Sequence, residues 1–290
     1  FKQKTAYEIP KRDWSSDVCS SDLTLDAFKG IFWWEYVHRL WGRLIGLVFA
    51  LPLAWFWVRG SLPGWLKPWL LLALLLGAVQ GAVGWWMVAS GLVDRTDVSP
   101  YRLATHLGLA LVIFALVQRL AMQLGDPRPA LARGAPAILG RATLGAVALT
   151  ILAGAFVAGT DAGFTYNTFP LMDGRFFPAG YGDHAPWWTN LFENVAAVQF
   201  NHRWIAVATM ALAFAYVGTI HAGGFDARAR RLASWLGAAI ATQVALGITT
   251  LLLAVPVALG AAHQAGAVVV LSLALATHHA ALDRKSTRLN

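Results

Sequence analysis

Apolar and polar positions alternate along this chain in long blocks, not at the two-residue period of a half-buried strand. Runs dominated by apolar residues cover 35–58, 66–90, 103–124, 138–159, 196–220, 232–254 and 259–282. Each is about the 20 residues a helix needs to cross a bilayer. The segments between them carry turn formers: Gly60-Ser61-Leu62-Pro63-Gly64, Asp126-Pro127-Arg128-Pro129 and Gly223-Gly224. One connection is far longer. Thr160 to Val195 holds Asp161, Tyr166, Asn167, Pro170, Asp173, Pro178, His184 and Pro186 among many aromatics. Loops of that length are usually functional or act as lids. The pattern predicts an all-α polytopic membrane protein with seven transmembrane helices.

Composition agrees: 57% hydrophobic, 13% charged, 14 Trp and mean hydropathy +0.54. A pI near 10.0 suits nucleic-acid binding, but the arginines sit in short loops between apolar runs, which is a topology signal. No nucleic-acid partner is expected; the lipid bilayer is. Loops on one side carry Arg59, Lys67, Arg119, Arg128, Arg133, Arg141, Arg228, Arg230 and Arg231. Those on the other carry Arg95, Arg102 and Arg175, with Lys29 at the margin. The richer side is expected to be cytoplasmic, which puts loop 160–195 in the periplasm of a bacterial inner membrane.

Both ends look foreign. Residues 1–23 and 284–290 are polar and pattern-free, and Asp13-Trp14-Ser15-Ser16-Asp17-Val18-Cys19-Ser20-Ser21-Asp22-Leu23 resembles translated adapter sequence. Setting them aside removes Cys19, the only cysteine, so the body has no disulfide, thiolate ligand or thiol redox chemistry.

The helices repeat. Glu35-Tyr36-Val37-His38-Arg39 matches Gln199-Phe200-Asn201-His202-Arg203; Gln80 with Gly84 matches Gln243 with Gly247; Thr105-His106-Leu107-Gly108 matches Ala262-His263-Gln264-Ala265. The run 138–159 has no counterpart, and one is expected before residue 24, where the foreign stretch stands. The natural architecture is therefore expected to have eight helices, the first lost here with the loop after it. They would form two pseudo-symmetric four-helix bundles related by an axis along the membrane normal: 24–125 and 126–283.

His38, His106, His202 and His263 fall on four helices that run inward from the same face. Each is expected within about eight residues of its helix start, so the four imidazoles share one depth. Two per half, on facing helices, is the geometry of bis-imidazole heme ligation. Duplicated interhelical hydrogen bonds and a zinc or copper site remain alternatives, though a metal ion wants a further ligand that only Glu35 offers. His278 and His279 lie about 22 Å deeper than His263, and His221 about 28 Å deeper than His202. They read as polar groups at helix ends; His184 belongs to the outer loop.

Glu35, His38 and Arg39 share a helix face, with Gly42 and Gly46 below, where small residues admit a flat or bulky group. Charged side chains at such a position default to function. The other half has Gln199 in place of Glu35. A carboxylate can take up or release a proton and an amide cannot, so the chemistry is expected in the first half and a permanent electron-carrying heme in the second. Arg39 and Arg203 have the fork to grip heme propionates, or they snorkel to head groups.

These residues carry a family resemblance. Phe28 through Arg39, Gly159-Thr160-Asp161-Ala162-Gly163, Tyr166-Asn167-Thr168-Phe169-Pro170, Gln199 through Arg203, and His263-Gln264 resemble the signatures of heme A synthase in its alphaproteobacterial and mitochondrial, cysteine-free form. The resemblance spans about Thr24 to Asp283. It implies oxidation of the C8 methyl of heme O to the formyl of heme A for cytochrome c oxidase assembly, using O2 and supplied electrons. His38 and His106, with Arg39, would flank heme O, and Glu35 would be the catalytic acid. His202 and His263, with Arg203, would hold a resident heme b. Implied partners are heme O, O2, heme O synthase as the substrate's source and an electron donor the sequence does not name; a homo-oligomer stays open, since the sequence does not name the oligomeric state. A b-type electron carrier shares the four histidines but leaves the Glu35–Gln199 difference unexplained. A transporter would need a polar route that runs 66–90 and 232–254 do not offer.

Overall fold

The computed structural model describes residues 25–89, 98–127 and 134–282. The expectations about residues 1–23 and 284–290 lie outside the described residues. Among those described, α1 (Leu25–Val58), α2 (Leu66–Ala89), α3 (Pro100–Gly125), α4 (Ala135–Gly159), α5 (Val195–Ala222), α6 (Ala227–Leu252) and α7 (Val257–Ala281) are joined by turns and one long loop. All seven are long and apolar enough to cross a membrane, as the blocks of hydropathy predict. Large apolar side chains such as Trp34, Trp85 and Val257 stand exposed, as lipid-facing groups do.

Two helix starts differ from the expected ones. α1 begins at Leu25, ten residues ahead of the apolar run, because helix-compatible residues extend it past the hydrophobic block. His38 therefore lies about four turns into its helix, not near its start. α6 starts at Ala227 because Asp226 accepts a hydrogen bond from the Ala229 N–H at 2.7 Å, a strong N-cap. α3 and α4 open with proline in their first turn, where the missing N–H costs nothing.

The chain forms two compact units, 1–81 and 82–290. In the first, α1 carries Pro52 within the helix, which membrane helices tolerate. In the second, α4, α5, α6 and α7 pack in a closed ring, α4 against α5, α5 against α6, α6 against α7 and α7 against α4, with α3 seated on α4 and α7. Its core is built largely from small residues. Ala213, Ala229 and Ala233 are fully buried beside Ile220 and Leu236, which brings helix backbones close where lipid supplies no hydrophobic drive. This four-helix ring is the scaffold on which His202 and His263 stand.

Candidate functional site: paired imidazoles under a latched loop

His202 lies in the second turn of α5 and His263 in the second turn of α7. The two rings are near enough to interact through their charges. Each presses into a notch left by a glycine on the neighbouring helix. A Cβ on Gly154 of α4 would come within 3.1 Å of the His202 ring, and one on Gly247 of α6 within 2.7 Å of the His263 ring. His106, in the second turn of α3, repeats this against α2: a Cβ on Gly84 would reach its ring at 2.9 Å. The His106–Gly84 and His263–Gly247 contacts fall on the two registers that align in the sequence repeat.

The surroundings orient these rings. Gln243 Nε2 donates to His263 Nδ1 at 3.1 Å and to the His263 carbonyl at 2.8 Å. Gly266 gives the amide room. A hydrogen bond at Nδ1 holds the orientation of the ring. The buried His202 ring lies against Gly154 with the Thr150 backbone within hydrogen-bonding reach. Two imidazoles near enough to interact, inside a helix ring, are a donor set that fits a heme iron. Among the described residues no group of three or more His, Cys, Asp or Glu side chains could hold a bare metal ion.

Gln199 and Arg203 flank His202 on α5 and reach outward to the loop. Gln199 Nε2 donates to the carbonyls of Ala162 at 2.8 Å and Tyr166 at 3.3 Å. Arg203 donates through Nη1 to Thr168 O at 2.7 Å and through Nη2 to Tyr166 O at 2.5 Å and Gln199 Oε1 at 3.0 Å. Arg203 is buried, so it does not snorkel. Its Nε alone is left buried and unbonded. Asn167 Nδ2 ties the same loop to Gly163 O and to Leu251 O at the end of α6, each at 2.9 Å. Phe176, Phe177 and Tyr181 pack around Phe200, with Phe176 also on Trp204. The loop is thus latched over the end of the ring that holds His202 and His263. Burial pushes the Tyr166 phenol above its ordinary pKa, and Asp173 adds to the shift. Beneath the loop, Val255 in the α6–α7 turn holds a φ of +57°, costly for a β-branched residue.

On α1 in the first unit, Glu35 and Arg39 form an ion pair at 2.8 Å, both more than half exposed. His38 is exposed on the same helix, and nothing approaches Gly42 or Gly46. The structure therefore brings His202, His263 and Arg203 together in one bundle, and Glu35, His38 and Arg39 together on one helix face. His106 stands on its own glycine notch in the second unit. Of the histidines set aside, His221 bonds Ser234 and His279 bonds the Asp126 carbonyl, both at helix ends. His184 is exposed in the loop. Sequence reasoning passed over Gly154, whose only signal is a small residue one helix away from the histidine register. It also passed over the Gln199–Arg203 latch, whose acceptors are backbone carbonyls and leave no mark in side-chain identity.

A profile described as "cytochrome oxidase assembly protein" matches residues 4–275, so the alignment enters the stretch set aside above as foreign. The chain is 47% identical over 281 residues to a heme A synthase of Rhodospirillum centenum, covering 96% of this chain and 73% of that protein. It is 49% identical over 259 residues to one from Chelativorans sp., covering 88% and 70%. With one from Caulobacter vibrioides it shares 45% over 276 residues, covering 94% and 80%. With seven helices able to span a bilayer and relatives aligned along nearly its whole length, this integral membrane chain belongs to the cytochrome oxidase assembly protein family.

Proposed function

We propose that the chain is a heme A synthase, oxidising the C8 methyl of heme O to a formyl group for cytochrome oxidase assembly. The observation that carries this reading is the match to heme A synthases along 96% of the chain. The neighbouring imidazoles of His202 and His263, near enough to interact through their charges, supply the ligands such a protein needs. Two oxygenations at one carbon, with O2 and supplied electrons, give a geminal diol that loses water.

His202 and His263 hold a resident heme b, which when bound passes electrons. Both rings are set by glycine notches, and that of His263 also by the Gln243 amide. His38 and His106 flank the substrate in the N-terminal repeat, 24–125; the heme b repeat is 126–283. Glu35 is the catalytic acid, and Arg39 holds it by the 2.8 Å ion pair. Arg39 faces one propionate set. Arg203, whose Nη groups serve the loop, offers its unbonded Nε to the other. The loop 160–195 lies on the periplasmic side of the bacterial inner membrane. Heme O comes from heme O synthase and electrons from a separate donor.

The test is acid extraction of pigments after expression with a heme O source, read by mass. Formyl or hydroxymethyl heme is expected. Recovery of heme b alone, with heme O unchanged, makes the chain an electron carrier instead.

A further inference from the structure

At the end of the α4–α7 ring opposite the latched loop, a second polar cluster takes no part in heme chemistry. Tyr216 on α5, Thr143 on α4 and Thr277 on α7 are fully buried, and His278 on α7 nearly so. Tyr216 Oη, Thr143 Oγ1, Thr277 Oγ1 and His278 Nδ1 all lack a hydrogen-bond partner among the described atoms. Elsewhere the helical threonines settle locally: Thr150, Thr160, Thr249 and Thr250 each donate to a carbonyl one turn back. Thr143 and Thr277 do not. Buried polar groups are almost always bonded, and an apolar bilayer outside offers no substitute.

Two of these groups meet at one point. A Cβ on Gly140 of α4 would lie 3.0 Å from Tyr216 Oη and nearer still to His278 Nδ1. Gly140 keeps the place where hydroxyl and imidazole converge free of a side chain. Thr143 sits one turn along the same face of α4. Arg119, Arg141 and His279 stand within charge–charge reach of His278, so the cluster borders a cationic rim. The N-terminal half lacks it. In the register that pairs Gln199 with Glu35, Tyr216 falls on Pro52. In the register that pairs His263 with His106, Thr277 and His278 fall on Leu120 and Ala121.

We infer that Tyr216, His278, Thr143 and Thr277 enclose a buried hydration site, one or more ordered water molecules bridging the Tyr216 hydroxyl and the His278 imidazole between α4, α5 and α7. Water is the ligand whose size and two-way hydrogen bonding suit two or more hydroxyls and an imidazole set in an otherwise apolar core. The site belongs to the C-terminal bundle alone and does not depend on the heme reading.

The test uses the intact, heme-loaded chain in lipid nanodiscs. Radiolytic footprinting in ¹⁸O-water labels side chains that touch bound water. Tyr216, though fully buried, is expected to take up ¹⁸O at least tenfold faster than Phe200, buried in its aromatic cluster. Labelling of Tyr216 no faster than Phe200 overturns the proposal. Thermal unfolding of Tyr216→Phe and Thr143→Val gives a second reading by sign. If water satisfies these hydroxyls, both variants unfold at lower temperature. If the hydroxyls are simply orphaned, removing them relieves a penalty, and an unchanged or raised midpoint overturns the site.

Discussion

On α1, the residue one helical turn before the arginine is the carboxylate of Glu35; on α5 it is the amide of Gln199. Both pairs close at i,i+4, the first as an ion pair at 2.8 Å and the second as an amide–guanidinium bond at 3.0 Å. What they do next differs. Gln199 has N–H groups left to donate and spends them on two loop carbonyls, with Arg203 donating to two in turn. A carboxylate has only acceptor oxygens and could not hold that loop. The difference between the halves therefore has two physical sides. The amide can latch a loop by donating, and the carboxylate pairs with its own arginine, the arrangement expected of the proposed acid.

The largest effect expected from breaking this contrast is on turnover. Glu35→Gln keeps the shape and removes the proton-carrying group, so heme A formation is expected to fall by about 10²-fold or more with heme content unchanged. Steady-state product assays with pigment quantification decide it. Retained activity would show that the carboxylate is not the chemical group.

Gly247→Ala tests the seat of the ring. Its methyl would stand 2.7 Å from the His263 ring, and heme b affinity is expected to drop by about tenfold, as for other groups that orient a metal ligand. Gly154→Ala, at 3.1 Å from the His202 ring, should cost less. Heme titration of the two variants checks the order; equal affinities would mean the notches do not set the rings.

Gln199→Glu tests the latch. Replacing its donor by an acceptor facing two carbonyls should weaken loop anchoring by about 1–3 kcal/mol. Faster hydrogen exchange at residues 162–168, with the α4–α7 core unchanged, is the expected result. Arg228→Gln should do least. Its 3.0 Å pair with Asp126 is half-exposed, and such pairs are worth about 0–1 kcal/mol, so a shift of the thermal midpoint of a degree or two is expected.

The seven helices of the described residues were legible in the sequence, because bilayer crossing imposes a length and a composition that single residues cannot hide. The repeated spacings of Gln243 with Gly247 and of His263 were legible as separate matches, but not that they meet. Ends were less so. Asp226 starts α6 ahead of its apolar run, and helix-compatible residues carry α1 back to Leu25. The latch was not legible at all. Ala162, Tyr166 and Thr168 take part through carbonyl oxygens, which every residue has, so only the fold of the loop singles them out. The same holds for Tyr216 and His278, which lie far apart in sequence and meet over Gly140.

The central claim is that the two halves hold different hemes. Pigment content of purified His202→Ala and His38→Ala, measured side by side by pyridine hemochrome spectra and mass, tests it most directly. The account predicts that His202→Ala loses heme b while the chain still takes up heme O, and that His38→Ala keeps heme b. Heme b persisting in His202→Ala and vanishing in His38→Ala would contradict it.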